Sequence, residues 1–212
     1  SQQLPRGLYF QDSVLSDVGI LEAGVRAQAE GYDAVCIDTV SDGGMAPLRS
    51  VLDIPVIGAG RHAMLTALML GDRFSILAMW DRWRHLYTKT LAELGLGAKC
   101  ASLRSADLQP DNQSLMAGKE EAFFPALHAA ALRCVEEDGA DVIVLGSTTM
   151  HQAHAYLAER LPVPVINPGP LTYRLAEIAI RQKLTHSPAS FPRPAAPAEA
   201  ALAAMGAAAT RL

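Results

Sequence analysis

The chain has 212 residues, a mass of 22.6 kDa, 50% hydrophobic and 19% charged residues, which is enough to bury the core of one full globular domain or two small lobes. Its formal charge of −4, from 18 basic against 22 acidic residues, leaves no electrostatic footprint for nucleic acid. No apolar run reaches the about 18–20 residues that cross a bilayer, and the opening SQQLPRGLYFQDS lacks the basic flank and apolar stretch of a signal peptide. Cys36, Cys100 and Cys134 have neither the even count of a disulfide framework nor the paired spacing of a zinc site. The expectation is a cytoplasmic protein without a nucleic-acid or membrane partner.

Short apolar runs alternate with helical patterns along the chain. Tyr32–Thr39 reads as a buried strand after the polar end at Glu30-Gly31, and Pro55–Gly58 and Phe74–Met79 read the same way. Between the last two, Arg61–Leu70 is a continuous helix former closed by Gly71. Lys119–Glu137 carries apolar residues at Phe123, Leu127, Ala130, Ala131, Cys134 and Val135, one stripe of a helix. Asp141–Leu145 is the next strand, His151–Arg160 a helix, Pro164–Asn167 a strand and Leu171–Lys183 a helix. Buried strands alternating with helices predict an α/β fold with parallel sheets covered on both faces. The segment 187–212, with Pro188, Pro192, Pro194 and Pro197 before an alanine run, reads as a mobile extension or a docking arm for a second subunit.

An internal repeat organises the rest. A shift of 108 lays Gly31 on Gly139, Asp33 on Asp141, Val35 on Ile143 and Thr39 on Ser147. A shift of 109 lays Ile54-Pro55-Val56-Ile57 on Val163-Pro164-Val165-Ile166 and Gly60 on Gly169. Two such blocks at nearly one offset predict two pseudo-symmetric lobes, each a short parallel sheet flanked by helices. The boundaries expected are 1–85 for the first lobe with part of the crossover and 86–186 for the second, with room for the lobes to exchange terminal segments. Ligands in α/β folds bind beyond the carboxyl ends of strands, which puts Thr39 and Ser147 in one inter-lobe cleft.

The same blocks carry a resemblance. EGYDAVCIDTVSDGGMAPLRSVLDIPVIGAGRHAMLTALMLGDRFSILAM resembles the first lobe of the aspartate/glutamate/hydantoin racemase superfamily, and EEDGADVIVLGSTTMHQAHAYLAERLPVPVINPGPLTYRLAE resembles its second, nearest the hydantoin racemase branch. The resemblance implies a homo-oligomeric isomerase that needs no cofactor or metal. It implies a small carboxylate or cyclic ureide as substrate, and one cysteine per lobe moving a proton at a carbon next to a carbonyl. It also implies departures. Thr39, ahead of Asp42-Gly43-Gly44, stands at the first cysteine position, and Ser147, after Leu145-Gly146, stands at the second. The family's opening strand has no match in these residues, so either it lies outside the numbered chain or the first lobe is remodelled.

A thiol with a reference pKa near about 8.5 is readily tuned into a thiolate base. An aliphatic hydroxyl is far too weak an acid for that role, so two-thiol racemisation is not expected here. Thr39 and Ser147 can instead hold a carboxylate, an amide or an enolate oxygen, and Ser147 becomes a nucleophile only beside a base. Nearby bases are His151, Asp38 and Asp42. Asp42 reads equally as a turn carboxylate and His151 as a solvated first-turn residue. His151 and His154 share a helix face but have no third metal ligand in sight.

Thr148 and Thr149 open a helix whose amides suit an anion, as Ser41, Gly43 and Gly44 do in the other lobe; plain capping explains the same residues. Met79 and Trp80 are expected to wall the pocket, with Asn167, Pro168 and Gly169 in the corresponding place of the second lobe. Trp80 fits ordinary packing equally well, and Cys36 reads as core. Besides the racemase-type reading, a decarboxylase or lyase, a serine-dependent hydrolase and an inactive small-molecule-binding protein all fit this cleft.

Overall fold

The computed structural model describes residues 10–108 and 120–195, with 201 and 204. These divide into two compact units. The first comprises residues 10–37, 42–58 and 173–195, and the second residues 38–41, 59–108 and 120–172. Residues 59–85 therefore group with 86–172, not with the N-terminal segment where the repeat alone had put them.

In the first unit, α1 (Phe10–Gly24) and α2 (Met45–Val51) accompany a two-stranded parallel sheet of β1 (Val35–Ile37) and β2 (Val56–Gly58). Ile37, Met45, Leu48, Leu52 and Val56 are its core, with Ile20, Leu21 and Val25 packed against them. The expected strand from Tyr32 to Thr39 is cut to three residues: Tyr32 is exposed and Thr39 lies in the following loop.

The second unit holds a four-stranded parallel sheet in the order β4-β3-β5-β6: β3 is Phe74–Ala78, β4 Cys100–Ser105, β5 Val142–Leu145 and β6 Val165–Ile166. β3 and β5 are buried along their whole length, which is why they read as unbroken apolar runs. Alternate side chains serve opposite faces. Phe74, Ile76, Ala78, Val142 and Val144 pack with residues of α3 (Ala59–Leu70) and α4 (Arg84–Leu94). Leu77, Ile143 and Leu145 pack with α5 (Phe124–Glu136) and α6 (Ala153–Ala158). Each fully buried Leu, Ile or Phe contributes about 1.5–3 kcal/mol. α7 (Pro168–Gln182) begins three residues earlier than expected, so Pro168 and Gly169 form its first turn.

The repeat is visible hydrogen bond by hydrogen bond. Val35 pairs with Val56 and its amide donates to the Pro55 carbonyl at 2.8 Å; Ile143 pairs with Val165 and its amide donates to the Pro164 carbonyl at 2.9 Å. Gly31 and Gly139, which start the two copies, both have left-handed backbones, with φ of 86° and 71°. That shared requirement explains the glycine at both places.

Residues 187–195 fold back on their own unit: Arg193 pairs with Asp53 at 2.8 Å, and the Phe191 ring lies under the Arg49 guanidinium. Just before them the Thr185 hydroxyl donates to the Asp53 carbonyl. The alanine run beyond residue 195 lies largely outside the described residues.

Candidate active site

Two hydroxyl loops define the site, and both belong to the second unit. After β5, Ser147 caps the short 3-10 turn Thr148–Met150 in extended conformation, its Oγ accepting from the Thr149 amide at 3.2 Å and lying 2.8 Å from Thr149 Oγ1. Buried Met150 anchors the far end of this turn in the core. The near end is fixed by Gly146, whose amide donates to Leu77 O and whose carbonyl accepts the buried Tyr87 hydroxyl, each at 2.8 Å. A side chain on Gly146 would meet Tyr87 Oη and Leu77 O at 2.8 and 2.9 Å, so only glycine fits. Burial pushes the Tyr87 phenol far up, and it stays a donor at any working pH.

The loop after β1 repeats the arrangement. Thr39 Oγ1 and Ser41 Oγ are 3.1 Å apart, and the shift of 108 that lays Thr39 on Ser147 lays Ser41 on Thr149. Val40 between them is buried with Ala63 and Met64 and holds this loop to the core of the second unit. Each loop is closely approached by the glycine that opens the next helix: a Cβ on Gly60 would run into the Val40 carbonyl, and one on Gly169 would sit 3.7 Å from Thr148 Cβ. Under the repeat, Gly60 and Val40 correspond to Gly169 and Thr148.

The two loops are joined directly. The Thr148 hydroxyl donates to the Asp38 carbonyl at 3.0 Å, 110 positions away in the chain. Asp38 Oδ1 stands 3.5 Å from the Cβ position of Gly169, so residues 38–41, 147–149 and 167–169 converge. At the same junction the buried Asn167 Oδ1 has no hydrogen-bond partner among the described residues, while the Asn167 carbonyl accepts the first helical bond of α7 from Leu171. Such an acceptor suits a donor group of a bound molecule.

Other expected site residues lie elsewhere or are otherwise occupied. Met79 is 2% exposed and packs in the core with Leu145 and Met150, so its side chain walls no pocket. Trp80 borders a shallow, half-open depression with Asp81, Arg84, Leu103 and Ser105, its ring edge-on to Trp83 and beside the Arg82 guanidinium. Asp42, Gly43 and Gly44 are assigned to the first unit. Asp42, left-handed at φ 52°, accepts the Met45 amide ahead of α2, and the space above the two glycines is filled by the side chains of Asp17 and Ile20 on α1. His151 is exposed past the 3-10 turn, and His154 bonds to the Val165 carbonyl.

Among the described residues, no group of three or more His, Cys, Asp or Glu side chains could hold a metal, and no helix is long and apolar enough to cross a membrane. Cys36 is half-buried within β1, burial pushes Cys100 up to about 11, and Cys134 in α5 is raised for the same reason. The sequence offers Asp38 as a base flanking Thr39; Tyr87 is the residue that motif reading leaves out, since nothing local marks it, 59 positions from Gly146.

Parallel sheets flanked by helices, with paired hydroxyl loops at strand ends, define an α/β protein with a candidate site at those loops. The model of the Asp/Glu/hydantoin racemase family matches residues 2–176, and the chain belongs to that family. It is 31% identical over 169 residues to a hydantoin racemase from Paenarthrobacter aurescens, across 78% of this chain and 70% of that one. It is 29% identical over 163 residues to a hydantoin racemase from Pseudomonas sp. (strain NS671), across 74% of this chain and 62% of that one. Among solved structures, allantoin racemase from Klebsiella pneumoniae superposes with a TM-score of 0.83 at 28% identity, covering 93% of this chain and 80% of that chain.

Proposed function

We propose that this chain is a cofactor-independent, racemase-type isomerase that acts on a small carboxylate or cyclic ureide at a carbon next to a carbonyl. The observation that carries the reading is the pair of equivalent hydroxyl couples, Thr39–Ser41 and Ser147–Thr149, tied through Thr148 to Asp38. Hydroxyls and turn amides facing one ligand stabilise an enolate-like oxygen without being asked to remove a proton themselves. Relatives named for hydantoin and allantoin make a cyclic ureide the first substrate class to try.

A serine-hydrolase reading is less well supported. The partners of Ser147 Oγ among the described residues are Thr149 N and Oγ1, and no base is attached to it. The test is proton exchange. Single enantiomers of 5-substituted hydantoins and allantoin, together with dicarboxylates and 2-substituted malonates, are incubated with the protein in deuterated water and followed by NMR. Deuterium entering the carbon next to the carbonyl of at least one compound is the expected result; none across the panel contradicts the reading.

A further inference from the structure

The two halves of the site match at the hydroxyls and differ one residue earlier. The shift of 108 that lays Thr39 on Ser147 lays Asp38 on Gly146. On one side stands a carboxylate, exposed, beside Thr148 and the open Cα of Gly169. On the other stands a glycine at which an added Cβ would meet Tyr87 Oη and Leu77 O at 2.8 and 2.9 Å, so no side chain can be accommodated there. The second half's own titratable group, His151, is exposed beyond the 3-10 turn.

From this asymmetry we infer that Asp38 is the protein's proton-transferring base in the proposed reaction, acting at one face of the substrate carbon, and that the opposite face exchanges protons with solvent water. The inference rests on the function proposed above. In the step, the C–H bond next to the carbonyl breaks, the proton passes to an Asp38 carboxylate oxygen, and the electron pair moves onto the carbonyl as an enolate oxygen. The hydroxyl couples and the turn amides hold that oxygen. Return of the proton, or of a solvent deuteron exchanged onto Asp38, regenerates the starting enantiomer; a proton delivered by water to the opposite face of the planar enolate, with the Asp38 proton passing to the hydroxide so formed, gives the other enantiomer, with atoms and charge conserved in both. The Asp38 carbonyl, not its carboxylate, accepts the Thr148 bond, so the side chain can change without cutting the tie between the loops.

The test uses the full chain, one enantiomer of a 5-substituted hydantoin or of allantoin, and deuterated water. Asp38→Asn and Asp38→Ala are expected to melt and to bind the compound like the parent, within threefold in Kd, while exchange slows at least a hundredfold, the scale of a lost general base. In the parent, deuterium is expected to enter the recovered starting enantiomer faster than optical rotation is lost. Exchange within threefold of the parent in both variants overturns the inference and leaves the proposed function standing. Deuterium found only in the opposite enantiomer overturns the single-face assignment, since every proton then arrives at the face that Asp38 does not serve. A parent protein that exchanges no compound overturns both readings together.

Discussion

The Thr148 hydroxyl donates to the carbonyl of Asp38 at 3.0 Å, so the residue after Ser147 is bonded to the residue before Thr39. One hydrogen bond thus couples the two loops that the repeat sets in equivalent places. Thr148→Val keeps the shape and removes the donor. We expect a stability loss of about 0.5–1.5 kcal/mol, the net worth of an ordinary hydrogen bond, and at least fivefold weaker ligand binding. Thermal melts and calorimetric titration check the pair of effects; unchanged binding would show that the tie does not shape the site.

The two glycines opposite the hydroxyl loops give contrasting expectations. A methyl on Gly60 meets the Val40 backbone carbonyl in a buried place, and Gly60→Ala should cost about 1–3 kcal/mol through overpacking. A methyl on Gly169 finds its nearest neighbours, Asp38 Oδ1 and Thr148 Cβ, at 3.5 and 3.7 Å, which is ordinary contact. Gly169→Ala should therefore fold at least as stably as the parent, helped by about 1 kcal/mol of helix propensity. It should still weaken binding by filling the space between Asp38 and Thr148. Equal stability losses in the two variants would contradict this account.

Stability at low pH should track two carboxylates. The Asp72 amide, with that of Arg73, holds Asp141 below the usual carboxylate range, and the Arg104 guanidinium does the same for Asp138. A folded-state pKa lower than the unfolded value stabilises the protein above the unfolded pKa, near about 4, and that contribution is lost as pH falls through the folded pKa. The melting temperature should thus fall as the solution is acidified below about pH 4. Asp141→Asn should melt lower than the parent at pH 7 and converge with it in acid. Parallel curves would remove Asp141 from the explanation.

Much of this architecture is legible in the residues. The fully buried strands β3 and β5 are continuous apolar runs, and the repeat marks Val35–Val56 and Ile143–Val165 as equivalent before their pairing is seen. β4 is hard to read because Cys100–Ser105 mixes Arg104 with three small polar or sulfur-bearing side chains, and its pairing with β3 supplies what propensity does not. The grouping of residues 59–85 with the second sheet is also hidden, because β3 carries no local sign of which strands it will join. At the site, the hydroxyl positions follow from the repeat. Met79 misleads because a residue at a strand end can point inward as readily as outward, and here it joins the core.

Thiol reagents should leave the protein's activity in place. Cys100 is held up to about 11 by burial, Cys134 is raised likewise, and both are poorly ionised near neutral pH. Cys36 is half-buried within β1. Treatment with iodoacetamide at pH 7.5 (about one unit below a free thiol's pKa) should cost less than half of any turnover. Complete inactivation prevented by substrate would point to Cys36 instead.

The most direct measurement is ligand affinity in Ser147→Ala. Removing Oγ takes away a site hydroxyl, its partner Thr149 Oγ1 contact and the cap on the Thr149 amide, at a place outside the buried core. The cap is worth about 1 kcal/mol, so the variant should fold and melt close to the parent. Its affinity for the best ligand of the panel, measured by isothermal titration, should fall at least tenfold, or about 1.4 kcal/mol. A folded Ser147→Ala protein that binds and turns over that ligand as the parent does would contradict the claim that the duplicated hydroxyl loops form the active site.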